Sequence, residues 1–239
     1  MFLFVLLILG LSAVSAIVGI SLRKGQVARR AESLRQAAGL LGIRYMDGDE
    51  AYLQAKKDSA AEGLEPQQMP EALERYVRKL TGPRLTGLFR GVQVAVYEEV
   101  HTSNNGSHTE SVFKAYFSSA LPFQMRLARE GAGAKIAKAF GGQDVATGNE
   151  VFDAAVRIKS SEPEAAARFL QDEGRRKAVL TALEAYPSAV VCRTHVVVSR
   201  QGRLKSGDEI KAILAAIVPV AASFSGAAEA ASADTSPSS

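Results

Sequence analysis

The sequence predicts an α+β fold: a single N-terminal transmembrane helix followed by a mainly antiparallel sheet packed by helices. Three observations predict it. Met1 to Leu22 is an apolar run without a charged side chain. Stretches between Val92 and Ile158 alternate apolar with polar residues, the period of a strand with one face buried. Segments around them carry helical spacing and cap residues. The implied division is an anchor over 1–22, a juxtamembrane helical segment over 23–80, an α+β domain over 81–224 and a disordered tail over 225–239.

At about 1.5 Å per residue, the first run spans roughly 33 Å as a helix, against a hydrocarbon core of about 30 Å. Amides in lipid must bond within their own segment, which enforces the helix. Arg23, Lys24, Arg29 and Arg30 follow at once, and Arg35 soon after. Positive charge on that flank alone orients a bacterial single-pass protein of the inner membrane with its C-terminal domain in the cytoplasm. The same basic residues suit anionic headgroups, at about 1 kcal/mol each near the surface. The alternative is a signal peptide cleaved after Val14-Ser15-Ala16, which places the domain in the periplasm. Against it, no basic residue precedes the run, and the run continues through Ile17, Val18 and Ile20. Cys192 is the only cysteine, so no internal disulfide forms. The formal net charge is +4, and no basic stripe with interleaved aromatics points to nucleic acid.

The elements follow in order. Val27, Ala31, Leu34, Ala38 and Leu41 line a narrow helical seam that packs on the chain's own domain or pairs with a second copy. Gly42 ends that helix. Asp47 to Gln68 reads as a polar loop with a helical turn or two around Ala51 to Lys57. Pro70 opens a short helix with Leu73, Tyr76, Val77 and Leu80 on one face. Val92, Val94 and Val96 begin a strand. Asn105-Gly106 is a two-residue hairpin signal, and its register sets His101 opposite Glu110. Phe113, Ala115 and Phe117 share one face of the next strand, and Phe123, Met125 and Leu127 that of another. Lys135 to Phe140 is a short helix. Phe152, Ala154, Val156 and Ile158 then point inward from a strand, with Asp153, Arg157 and Lys159 outward. Ser161-Glu162-Pro163-Glu164 is a capping box opening a helix that Gly174 interrupts. Ala189 to Ser199 reads as one strand. Ser206 and Glu209 make a second box before Ile210 to Phe224, an apolar helix containing Pro219. That helix suits a core, or else the membrane interface.

Chemistry is sparse. His101 and His108 flank the hairpin tip near Glu110; exposed side chains explain them without a metal. Cys192 and His195 fall on opposite faces of one strand and cannot share a metal. Gly131-Ala132-Gly133-Ala134-Lys135-Ile136 has Ile136 where a dinucleotide loop needs its third glycine, and reads as a tight turn. Asp144 and Asp153 bracket Gly148-Asn149-Glu150, and an acidic pair can hold a cation or act as acid and base. The simpler reading gives Asp153 a surface ion pair with Arg157, and gives Asp144 loop amides to accept from. Asp144, Asp153 and Arg157 are the candidate site residues. No catalytic residue, metal ligand or cofactor is assigned.

The succession Leu121-Pro122-Phe123-Gln124-Met125, Gly142-Gln143-Asp144-Val145, Glu150-Val151-Phe152-Asp153 resembles a broad group of uncharacterised bacterial membrane-anchored proteins. There a Leu-Pro-x-Phe strand leads to an Asp-Ile/Val step and a Phe-Asp or Phe-Ser strand. The resemblance covers about residues 80 to 220. It implies a bacterial origin and a cytosol-facing α+β domain, and brings no catalytic residues. The expected function is a membrane-tethered, non-catalytic interaction or scaffold protein whose protein partner is unidentified. A lipid- or small-ligand-binding domain is the alternative, with its cavity between the sheet and Ile210 to Phe224. An enzyme using Asp144 and Asp153 is the third reading.

Overall fold

The computed structural model describes residues 27–61, 82–103, 106–131 and 142–233. The chain opens with α1 (27–41), β1 (Arg44–Met46) and α2 (Gly48–Ala61). β2 (Arg84–Phe89), β3 (Val92–Ser103), β4 (Gly106–Tyr116) and β5 (Met125–Arg129) follow. Next come β6 (Gln143–Asp144), α3 (Glu150–Ala155), β7 (Val156–Ser160), α4 (Pro163–Phe169) and α5 (Glu173–Ala185). β8 (Val190–Val191), β9 (His195–Gln201) and α6 (Gly207–Ala233) complete it.

The described strands form one nine-stranded sheet in the order β1-β2-β3-β4-β9-β8-β5-β7-β6. Every adjacent pair is antiparallel. The fold is therefore α+β with an antiparallel sheet, as the alternation requires. One face carries Val94 and Val96 of β3, Phe113 and Ala115 of β4, Val196 and Val198 of β9, and Leu127 of β5, all buried. α6 lies across β3, β4 and β9 and packs on α5. Its Ile210, Ile213, Leu214, Ile217, Ala221 and Phe224 join those strand residues in one core. The Phe224 ring sits 5.2 Å from Phe117 and 5.1 Å from Phe169. This helix is thus a core element. The second face is covered at its centre, where Arg84, Ala95, Val112 and Ala128 are buried, so the one wet face expected of the sheet is wet only in part.

Of the segment expected over 23–80, the described residues 27–61 include side chains of the domain's core. α1 buries Leu34 and Ala38 and packs Leu41 on the core, as the expected seam requires; Ala37 is buried as well, and Val27 lies outside the seam at 61% exposed. Ala37 is buried against α6: a Cβ on Gly207 would lie 2.7 Å from the Ala37 Cβ, so the two helices touch there. α1 ends in a Schellman turn, with Ile43 N donating to Ala38 O at 2.9 Å, Gly42 N donating to Gly39 O at 3.2 Å, and Gly42 at φ 67°. β1 then pairs with β2. No helix among the described residues is long and apolar enough to cross a membrane. The proposed anchor, Arg23, Lys24, the Pro70 helix and the Lys135 helix lie outside the described residues.

Several expectations are corrected. Asp47 to Gln68 is not chiefly loop, since α2 occupies much of it. His101 stands opposite His108, and Glu110 opposite Glu99. The register is two residues from the expected one, a slip that returns every side chain to its own face and so leaves no trace in the alternation. Residues 150–155 are helical: Asn149 caps α3 by accepting from Phe152 N at 2.9 Å, and local capping outweighs the alternating pattern. Ser161 caps nothing; the N-cap of α4 is Glu162, whose side chain makes no cap bond. The helical break precedes Gly174, and Asp172 caps α5. The strand expected over Ala189 to Ser199 is a hairpin, closed by Cys192 N donating to His195 O at 2.8 Å. α6 continues past Phe224 to Ala233, because the Ala-rich stretch expected as a disordered tail favours helix.

Candidate functional site

The sequence singles out Asp144, Asp153 and Arg157. The structure gives the two carboxylates different surroundings. Asp153 lies in the first turn of α3, not on a strand, and it organises the turn before that helix. Thr147 N donates to both its oxygens at 3.0 Å, Thr147 Oγ1 to Oδ1 at 2.7 Å, and Gly148 N to Oδ2 at 3.1 Å. Gly148 has φ 80°, the left-handed region that glycine enters without cost. Asp153 is thus committed to backbone and hydroxyl donors, and its expected pair with Arg157 does not form.

Asp144 takes the ion-pair role. It sits on edge strand β6 opposite Lys159. Its Oδ1 lies 3.4 Å from Lys159 Nζ and 3.7 Å from Arg157 Nε. Lys159 Nζ also donates to Gly142 O at 3.3 Å. On the other side of β7, Arg126 of β5 stands directly opposite Lys159. These residues share the second face of the sheet. The β5–β8 and β8–β9 registers, carried one residue on, bring Cys192 and His195 into the same row. Their expected placement on opposite faces is therefore wrong: they flank a two-residue turn and share a face. His195 is buried and its ring lies 5.7 Å from that of Tyr116.

The expected membrane-facing basic set is only partly surface-directed. Arg29 is exposed. Arg35 pairs with Glu32 and Asp47 and lies 4.9 Å over the Tyr45 ring. Arg30 turns inward and donates to Glu98. Burial, its largest cause, holds the Arg30 guanidinium below its usual value, and the charge of Arg203 adds to the effect. The Glu98 carboxylate also accepts from Leu204 N at 2.7 Å, which ties β3, α1 and the segment before α6 together. Sequence reading missed this node. The signal was present: Glu98 continues the inward series Val92, Val94, Val96, and a carboxylate in that series needs a partner.

At the β3–β4 hairpin, His101 and His108 stack at 5.2 Å, and each has its Nε2 within 3.7 Å of a Glu110 oxygen. No group of three or more His, Cys, Asp or Glu among the described residues is arranged to hold a metal ion. Gly131 has φ 82°, in keeping with a turn after β5; Ala132 to Ile136 lie outside the described residues. Between α6 and the sheet, Phe113, Phe117 and Phe224 are buried in one apolar core.

No family model matches the chain, and no curated protein matches it. Among solved structures, the chain is similar to the crystal structure of the mycobacterial trehalose monomycolate transport factor A, TtfA. The TM-score is 0.46 and the identity 13%, over 82% of this chain and 92% of that one. A likeness that distant bears on neither mechanism nor ligand.

Proposed function

We propose that this chain is a membrane-tethered, cytosol-facing interaction module that works by docking rather than by catalysis. The observation that carries the reading is the fate of the one acidic pair that had catalytic promise. Asp153 is held by Thr147 and Gly148, and Asp144 is neutralised by Lys159 and Arg157. A general acid or base needs a proton free to exchange with substrate, and a nucleophile needs an open line of approach. Engaged separately, one in a turn and one in ion pairs, the two carboxylates do not form the converging pair that such chemistry between them requires. The tether rests on Met1 to Leu22 and the basic residues after it.

Two measurements test the reading. Alkaline phosphatase and green fluorescent protein are fused in turn to Ser239. The fluorescent fusion is expected to light up and the phosphatase fusion to stay silent; the reverse result removes the cytosolic placement. Crosslinking in intact membranes is then expected to recover one partner in constant ratio to the chain. Should no partner be recovered while Asp144→Asn abolishes the cellular role, docking gives way to chemistry at that residue.

A further inference from the structure

We propose that Arg126, Arg157 and Lys159 form a binding site for a phosphate group on the second face of β5 and β7. The register places Arg126 directly opposite Lys159, and Arg157 lies two residues along the same face. Like charges directly opposite in a sheet repel and cost stability. Local conflicts of this kind are expected at functional sites. Asp144 reaches only two of the three cations, at 3.4 Å from Lys159 Nζ and 3.7 Å from Arg157 Nε. Arg126 is left out. Its Nε is buried, and among the described residues nothing accepts its proton. A buried N–H without an acceptor loses its hydration and gains nothing in return.

A phosphate oxygen is the acceptor that suits this position. Guanidinium groups hold phosphate through paired, charge-assisted hydrogen bonds, and a lysine adds a point charge. Among the described residues, three cations against one carboxylate leave an excess that a phosphate anion matches. Shielding is right for binding from one side: the Lys159 side chain is 15% exposed and that of Arg157 33%. Asp144, on a two-residue edge strand and 69% exposed, then acts as the built-in competitor that swings aside when phosphate arrives. The inference does not depend on the tether. Free phosphate compounds and lipid headgroups both offer this group.

The test is calorimetric titration of the full chain in neutral detergent at fixed ionic strength. One arm uses inorganic phosphate; the other uses glycerophosphoglycerol, a phosphodiester headgroup without tails. Binding is expected in at least one arm: the first, if stronger, marks a free phosphate ligand, and the second a lipid headgroup. Arg126→Gln should weaken binding about tenfold or more, and Asp144→Asn should tighten it about threefold or more. Circular dichroism checks each variant's fold. Asp144 is exposed enough that its variant carries the test if Arg126→Gln misfolds. Absence of binding in both arms overturns the proposal, as does an affinity that neither folded variant changes.

Discussion

The Arg30–Glu98 contact makes a prediction whose size follows from burial. The Glu98 side chain is 5% exposed and that of Arg30 27%. Arg30→Ala leaves a buried carboxylate with the Leu204 amide as its described donor. Breaking a buried ion pair from one side costs about 3–5 kcal/mol. Arg30 keeps one edge in water, so part of the attraction is already screened, and about 3 kcal/mol is expected. Glu98→Gln should cost less, about 1–2 kcal/mol, because the amide oxygen still accepts from Leu204 N and the remaining guanidinium can hydrate. Replacing both residues by methionine would remove the charges but orphan the Leu204 amide, so the pair cannot be exchanged for hydrocarbon without loss. The assay is urea unfolding of the full chain in neutral detergent, followed by far-ultraviolet circular dichroism because the sequence has no tryptophan. An Arg30→Ala loss under about 0.5 kcal/mol, or a larger loss for Glu98→Gln than for Arg30→Ala, would refute the reasoning.

Other perturbations follow from single contacts. Asp153→Ala strips the acceptor from Thr147 N, Thr147 Oγ1 and Gly148 N and should cost about 2–4 kcal/mol in the same assay; Asp153→Asn should cost less, since one oxygen remains. Gly207→Ala drives a methyl to 2.7 Å from the Ala37 Cβ and should cost about 1–3 kcal/mol, with Ala37→Gly in the same chain recovering part of the loss. Phe224→Ala opens a cavity between Phe117 and Phe169 and should lower stability by about 3–5 kcal/mol, without change in the urea slope if unfolding stays two-state.

Most of the sheet was legible because one rule governs it: residues with period two line a face. Val92 to Val96, Phe113 to Phe117 and Val196 to Val198 obey that rule, and all lie under α6 or beside it. Two kinds of information were not legible. Register was one, because a shift of two residues preserves the pattern, and the hairpin could place His101 against His108 or Glu110 equally well. Local side-chain bonding was the other. Phe152 to Ile158 alternates throughout, yet Asn149 and Asp153 bind backbone amides and convert its first part to helix. The hairpin at Cys192 was hidden likewise, since the apolar residues on both sides of its turn read as one strand.

The candidate site shows the same division. The two acids exchange the local contacts expected of them: Asp153 serves the loop and Asp144 the ion pairs. Which acid meets which cation depends on the β6–β7 and β5–β7 registers, which only the assembled sheet determines. Glu98 was readable as an inward acid, but its partner Arg30 lies 68 residues away. That link reshapes the tethering proposal. α1 is not a spacer between anchor and domain, because it is fixed to β3 by Arg30 and to the core by Leu34 and Ala38. If residues 1–22 cross the bilayer, only residues 23–26 separate them from α1, a reach of at most about 18 Å. On the tethering proposal, so short a lead would hold the domain against the membrane surface and its anionic headgroups. Inserting a flexible Gly/Ser segment after Lys24 should therefore weaken any headgroup binding at Arg126 in intact membranes, while leaving its affinity for inorganic phosphate unchanged. Equal loss in both would place the effect in the fold and not in the tether.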